Sequence, residues 1–139
     1  MKGMTLTQIL RNTTSSRVEL SAFVAVRNLK FGISKKLGIP KAIAQCYSKD
    51  KSGSGQPKLF KYATMVEFWP ESKVKIGCSC PDHLYRWEYA LTRKGASYIT
   101  YSNGEPPIDT NPKLVPGCCK HLIALISAMK KQKMLPKFI

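Results

Sequence analysis

The amino-acid sequence predicts an α+β fold, in which a small antiparallel sheet leads into an inserted helix and a C-terminal helix. Three patterns support this prediction. Apolar and polar residues alternate over 18–26, as in a strand with one buried face. Aromatic and β-branched residues fill 60–69, and the chain turns at Pro70 and returns over 73–78, as in a β-hairpin. Residues 119–132 repeat their apolar positions at helical spacing.

The first 16 residues are predicted to form an arm or a short helix. Thr5 is a suitable N-cap, and Gln8 follows three residues later, which completes a capping box for a helix over 5–11. A polar stretch over 12–16 then connects this element to the sheet.

Residues 17–57 are interpreted as the strand-rich N-terminal part of the sheet. A strand is predicted over 18–26, and a helix is the alternative there, because several of the same apolar side chains also share a helical face. A Gly- and Lys-rich loop over 32–40 separates it from a second strand over 41–47. A Gly- and Ser-rich turn region over 49–57 follows.

The second half of the chain begins with the hairpin and delivers Cys78 at the end of a strand. Asp82 is a good N-cap for a helix that ends at Gly95. The inner face of this helix is predicted to consist of Leu84, Trp87 and Leu91. Turn-forming residues and prolines then continue to the C-terminal helix over 119–132. Residues 134–139 form an apolar tail that Pro136 prevents from continuing the helix.

Two short cysteine motifs flank the inserted helix. The first, Cys78 and Cys80, reads C-x-C, and the second, Cys119 and His121, reads C-x-H. Brought together, these four side chains can complete a tetrahedral zinc shell with no open position. The residues leave alternatives open: disulfides between the two motifs, buried thiols without a ligand, or an iron–sulfur cluster that uses Cys118.

Three further residues bear on the assignment of ligands. His83 follows Cys80 closely enough to compete for a metal ion. Cys118 is expected to be a spare thiol or to lie beside the ligands, and Cys46 is expected to be a core residue.

The motif pair resembles the SWIM-type zinc finger, whose signature is C-x-C followed by C-x-H, placed between a β-hairpin and a helix. The flanking residues, Cys-Ser-Cys-Pro-Asp and Cys-Lys-His-Leu, are also similar to that family. The resemblance implies that zinc is the cofactor and that its ligands are Cys78, Cys80, Cys119 and His121. It also implies a SWIM-type module over 58–133, with an insertion over 81–118 that is longer than in most members.

The composition indicates anionic partners. The chain has 23 Lys and Arg against 8 Asp and Glu, a net charge of +15, which favours polyanions or acidic protein surfaces. Contact with nucleic acid would then be largely non-specific. No run of 18 apolar residues is present, so no membrane partner is expected. The first ten residues do not read as a signal peptide, so we expect synthesis in a reducing compartment.

The sequence offers no catalytic constellation, and a closed metal shell leaves no position for a substrate, so neither an enzyme nor a small-molecule substrate is predicted. The SWIM resemblance implies DNA-binding or protein–protein interaction roles, and the motif flanks look like the stand-alone SWIM proteins of tailed bacteriophages. The resemblance therefore implies a non-enzymatic, zinc-stabilised assembly subunit of a virion, made in the host cytoplasm, with other protein subunits as partners. The alternative is a basic DNA-binding accessory protein.

Three segments are more apolar or more rigid than a free surface requires, and we expect them to lie against other chains. They are residues 18–26, the proline-rich part of the insertion over 106–116, and the tail over 135–139.

Overall fold

The computed structural model describes residues 3–36, 38–51, 57–98, 107 and 110–132, and it confirms the α+β class. Five antiparallel strands form one sheet in the order β1-β5-β4-β3-β2. The strands are β1 (Met4–Thr5), β2 (Ala25–Ile33), β3 (Pro40–Lys51), β4 (Pro57–Phe68) and β5 (Lys73–Cys78). The helices are α1 (Leu6–Asn12), α2 (Ser15–Ser21), α3 (Glu88–Arg93) and α4 (Lys120–Lys131), with a 3-10 turn (Pro70–Ser72) and a π-helical turn (His83–Trp87).

The hydrophobic core lies between one face of the sheet and the helices. Every second residue of β3, β4 and β5 points to this inner face, as the pleat of a strand requires. Helices α1, α3 and α4 supply the opposing side chains. The largest fully buried apolar side chains are Leu6, Ile9, Val66, Phe68, Val74, Ile76, Leu91, Leu122, Leu125 and Met129.

The predicted hairpin is confirmed. Strands β4 and β5 pair in antiparallel register from Phe68 opposite Val74 to Thr64 opposite Cys78. The 3-10 turn between them holds Glu71 at a positive φ of 64°, which lets the chain reverse within three residues. The hairpin therefore brings Cys78 to the end of β5, as expected.

The capping box at the N-terminus is also confirmed. The Thr5 hydroxyl accepts a hydrogen bond from the Gln8 amide at 3.2 Å, and the Gln8 side chain accepts one from the Thr5 amide at 2.9 Å. Helix α1 therefore begins where the sequence indicates and places Leu6 and Ile9 in the core.

The strand predicted over 18–26 is wrong for most of its length. Residues Ser15–Ser21 form helix α2, the chain turns at Ala22 and Phe23, and β2 begins at Ala25. The alternation of apolar and polar residues in this segment does not come from a strand with one buried face. The apolar side chains of α2 are not buried. The loop predicted over 32–40 is shorter than expected, since β2 continues to Ile33 and β3 starts at Pro40.

The prediction that Asp82 caps a helix is wrong. Asp82 already has helical dihedral angles, φ −58° and ψ −42°, and its side chain makes no capping bond. The cap acceptor is the sulfur of Cys80, which accepts the amide proton of His83 at 3.3 Å. Trp87 and Leu91 are buried as predicted, but Leu84 is exposed, and His83 is the buried residue at the start of this helix.

Helix α4 crosses the inner face of the sheet and matches its prediction closely. The residues at helical spacing are all buried, and Ile123 and Ala124 are buried as well. These spaced residues are His121, Leu122, Leu125, Ile126 and Met129. The two lysines of its last turn lie at the negative end of the helix dipole. No helix in the described ranges is long and apolar enough to cross a membrane.

Several sequence expectations lie outside the described residues. They are the apolar tail over 134–139, most of the turn region over 49–57, and residues 99–106 and 108–109 of the insertion predicted over 81–118. The end of the insertion is described, and Asn111 attaches it to the preceding helix by donating to the carbonyl of Arg86 at 2.8 Å.

We expect Gly117→Ala to destabilise the fold. An added Cβ would lie 2.9 Å from Cζ3 of Trp87 and 3.2 Å from the Thr13 hydroxyl, and the Trp87 side chain is buried and cannot move aside. Overpacking of this kind costs about 1–3 kcal/mol. Urea unfolding should therefore show a lower midpoint. Gly32→Ala is the control, because nothing lies within 4 Å of its added Cβ. Equal midpoints for the two variants would contradict the prediction.

Candidate metal centre

The structure brings together the four side chains that the sequence motifs single out. Their ligand atoms, the sulfurs of Cys78, Cys80 and Cys119 and a ring nitrogen of His121, all lie within 4.8 Å of one another, and all four residues are buried. Cys78 ends strand β5, Cys80 precedes the π-helical turn, Cys119 is the N-cap of α4 and His121 lies in its first turn. One strand end and two helix starts therefore converge on one point.

The His121 ring has one nitrogen engaged and one free to coordinate. Its Nε2 lies 2.7 Å from the hydroxyl of Ser48 on β3, whereas its buried Nδ1 has no hydrogen-bond partner among the described residues. A buried polar atom without a partner is costly, and a metal ion at Nδ1 would satisfy it. With Nδ1 bound to metal, Nε2 carries the proton and donates to Ser48, which fixes the ring orientation.

The three sulfurs cannot all be charged without a cation. Hydrogen bonds from Cys119 and then Cys78 lower the pKa of the Cys80 thiol, so the Cys80 sulfur carries the first negative charge. Burial, followed by these shared hydrogen bonds, raises the pKa of Cys119 well above its usual value. A second or third thiolate beside the first would be repelled in a buried site. A divalent cation removes this conflict.

Backbone groups also favour negative charge at the sulfurs. The amide of Cys80 donates to the Cys78 sulfur at 3.5 Å, and the amide of His83 donates to the Cys80 sulfur at 3.3 Å. Cys119 lies at the N-terminus of the 12-residue helix α4, the positive end of its dipole.

The residues present fit a metal ion such as zinc. In a tetrahedral site with Zn–S bonds of about 2.3 Å, neighbouring sulfurs lie about 3.8 Å apart, which is within the observed spread. Three soft sulfurs and one imidazole nitrogen are the donor set of structural zinc sites. The geometry is therefore compatible with metal binding and fixes no particular ion.

The other candidate ligands lie outside the cluster. The sulfur of Cys118 lies 3.5 Å from the Thr13 hydroxyl, and burial raises the pKa of this thiol to about 12. The Cys46 sulfur lies 3.5 Å from the Thr64 hydroxyl, in the core as expected. His83 is buried, and its pKa is lowered to about 4 by burial, but it does not join the cluster. None of the five cysteines forms a disulfide.

A charged network beside the cluster was not predicted from the sequence. The Asp82 carboxylate accepts hydrogen bonds from Arg17 at 2.9 Å, from Arg86 at 2.9 Å and from the Trp87 indole at 3.2 Å. Burial alone would raise the pKa of Asp82, but these donors take it below its usual value. Because Arg17 belongs to α2, the network attaches that helix to Asp82, which follows Cys80 by two residues.

Sequence reasoning also missed two neighbours of His121. Ser48 lies on β3, 73 residues away along the chain, and the Tyr62 ring on β4 lies 4.7 Å from the imidazole, centroid to centroid. Both positions fall on the inner face of their strands, and strand alternation is the one signal that could have suggested them.

No protein-family model matches the chain, and comparisons with curated proteins and with solved structures find no match. The SWIM resemblance therefore stays a prediction from the motif residues.

Ser48→Ala should weaken metal binding, because the His121 ring loses the partner that orients it. Removing a group that holds a metal ligand in place typically costs 10- to 100-fold in affinity. Competition titration with Co²⁺ and a chromophoric chelator measures this directly. Ser16→Ala, an exposed serine of α2, is the control and should bind as the wild type does. An unchanged affinity for Ser48→Ala would show that the Ser48 hydroxyl does not support His121.

Proposed function

We propose that this protein is a non-enzymatic, zinc-stabilised interaction subunit of a larger assembly. The observation that carries the proposal is an apolar patch on and beside α2, next to the candidate metal centre. Val18 is 51% exposed, Leu20 is 48% exposed and Phe23 is 82% exposed. These three large apolar side chains are exposed within six residues of the chain, and Leu20 also lines a cavity with Cys80 and His121. Exposed apolar surface of this kind is typical of contacts with other proteins.

Zinc is the ion that the donor set supports best. It accepts three thiolates and an imidazole in a closed tetrahedral shell, with Cys78, Cys80, Cys119 and the Nδ1 atom of His121 as ligands. When bound, the ion would contribute folding energy of about 10 kcal/mol or more, as in other structural sites. Its role would be to hold the end of β5 against the start of α4.

A closed shell supports a binding role rather than a catalytic one. All four ligands are buried, and four protein donors leave no position on a tetrahedral ion for water or substrate. The remaining histidine, His83, is buried and neutral near pH 7, so it has no access to a substrate that stays in solvent.

The metal centre would also position the apolar patch. Arg17 of α2 forms an ion pair with Asp82, and its guanidinium lies over the Trp87 ring at 5.9 Å. Helix α2 has no fully buried residue and packs against α4, and the Arg17 contacts attach it to the segment that carries Cys80. A metal-free chain would lose the anchor at Cys80 and with it the orientation of the patch.

The finer assignment, to a particle of a tailed bacteriophage, rests on the resemblance of the motif flanks to stand-alone SWIM proteins. In that setting the partners are other subunits of the virion. The net charge of +15 supports a second role, low-specificity contact with nucleic acid.

We expect one zinc ion per chain, held by the proposed ligands. Elemental analysis should show stoichiometric zinc in the wild type and in Cys118→Ala, and none in Cys119→Ala, because Cys119 belongs to the cluster and the adjacent Cys118 does not. A strong chelator should remove the metal, and the chain should unfold as the metal is lost. Iron in place of zinc, or metal retained by Cys119→Ala and lost by Cys118→Ala, would overturn the assignment.

Phe23→Ser should weaken assembly without changing the fold. The ring is almost fully exposed, so its loss leaves the core intact and removes apolar area from the contact. Mass spectrometry of purified virions should detect the wild-type chain and find Phe23→Ser depleted several-fold, with equal thermal stability. Tyr85→Ser is the control, since Tyr85 is also highly exposed but lies on the inserted helix. Absence of the wild-type chain from particles would refute the virion assignment.

A further inference from the structure

The outer face of the sheet is strongly basic. Antiparallel register assigns one set of residues on β2 to β5 to this face, opposite the helices. Its basic members are Arg27, Lys30, Lys41, Lys49, Lys61, Lys73 and Lys75. The acidic member among the described outer positions, Glu67, is only 3% exposed and accepts a hydrogen bond from the Trp69 indole.

This positive charge is not neutralised within the described part of the chain. The ion pairs found there both involve Asp82, on the helical side of the molecule. Lys41 and Lys75 lie instead over the aromatic rings of Tyr98 and Trp69, at 5.5 and 4.5 Å from the ring centroids. The outer face therefore presents a positive field to solvent.

An apolar groove of about 680 Å³ runs through the middle of this basic face. Its apolar lining includes Ile43, Ala63, Met65, Gly77, Leu84 and Tyr98. Lys30 and Asn28 lie at its border.

The Tyr98 ring is held at the edge of the groove. Its backbone amide donates to the carbonyl of Ile76 at 2.9 Å, which attaches residue 98 to strand β5. Its Cβ lies over Gly77, where an added methyl group would come within 3.3 Å of it. The side chain is nevertheless 45% exposed and lines the groove, so part of its aromatic surface is open to solvent there.

We propose that the outer face of the sheet binds single-stranded nucleic acid, with bases stacked over the apolar groove and phosphates on the surrounding lysines. The proposal deepens the nucleic-acid role suggested by the net charge, on which it rests, and it names the surface and the form of nucleic acid.

The combination of an apolar floor and a cationic border selects single strands. Unpaired bases expose planar apolar surfaces that stack on aromatic side chains, and their backbone phosphates bind lysine and arginine. A duplex keeps its base faces stacked internally, so it could use the basic border but not the groove. An acidic protein segment would use the charge and would gain less from the flat floor.

The test measures fluorescence anisotropy of a labelled oligothymidylate with the full-length, zinc-loaded chain over a range of salt concentrations. Two double variants remove equal charge: Lys30→Gln with Lys61→Gln on the outer face, and Lys130→Gln with Lys131→Gln at the exposed end of α4. A third variant, Tyr98→Leu, keeps apolar packing over Gly77 but removes the ring. Thermal melts and metal content confirm that each variant is folded.

The outer-face double variant should lower the slope of log K against log salt by about 0.7 for each lysine removed, and the α4 variant should leave it unchanged. Tyr98→Leu should weaken binding about fivefold or more with the slope unchanged, because stacking is lost and charge is not. A labelled duplex of equal length should bind more weakly than the single strand and should not respond to Tyr98→Leu.

Three results would overturn the proposal in different ways. If both double variants reduce affinity equally and Tyr98→Leu has no effect, the net charge binds nucleic acid but the outer face is not its site. If polyglutamate competes as well as the oligonucleotide, the surface recognises acidic chains in general. No binding of either nucleic acid would remove the nucleic-acid role altogether and leave the zinc and assembly proposals intact.

Discussion

The structure depends on the convergence of three sulfurs and one imidazole at a single buried point. Like charges within 4.8 Å of one another repel when buried, and the unpartnered Nδ1 of His121 adds a further unsatisfied group. The Ser48 hydroxyl lies within hydrogen-bond distance of the imidazole, and backbone amides donate hydrogen bonds to two of the sulfurs. One divalent cation would offset the repulsion between thiolates and would also bind the unpartnered Nδ1. The site therefore fits a metal ion better than it fits thiols without a ligand.

This point also connects elements that are distant along the chain. Cys78 belongs to the hairpin, and Cys119 and His121 belong to α4, with the insertion between them. At the end of the insertion, the Asn111 side chain donates a hydrogen bond to the carbonyl of Arg86. Gly117, just before the second motif, lies against the Trp87 ring. The insertion is therefore packed onto the core at the end that leads into the metal centre.

The two faces of the sheet have different physical roles. The inner face is apolar and is covered by helices, so it supplies the core. The outer face keeps its charge and its apolar groove in solvent, which favours contact with a polyanion. The apolar patch of α2 is a separate surface, anchored through Arg17 to the loop that carries Cys80. Binding of nucleic acid and of protein would therefore involve different parts of the molecule.

Local chemistry allowed the sequence by itself to determine the α+β class, the capping box at Thr5, the hairpin that ends at Cys78 and the face of α4. Each depends on neighbours within a few residues along the chain or on strand and helix periodicity. For helix α2 the sequence left strand and helix open, because the helix has no fully buried residue to reveal its period and its contacts, with α4 and between Arg17 and Asp82, form only in the folded chain. Tertiary structure likewise decided that Asp82 binds arginines instead of capping a helix, and that Ser48 orients His121. Partners so far apart in sequence leave no local pattern to detect.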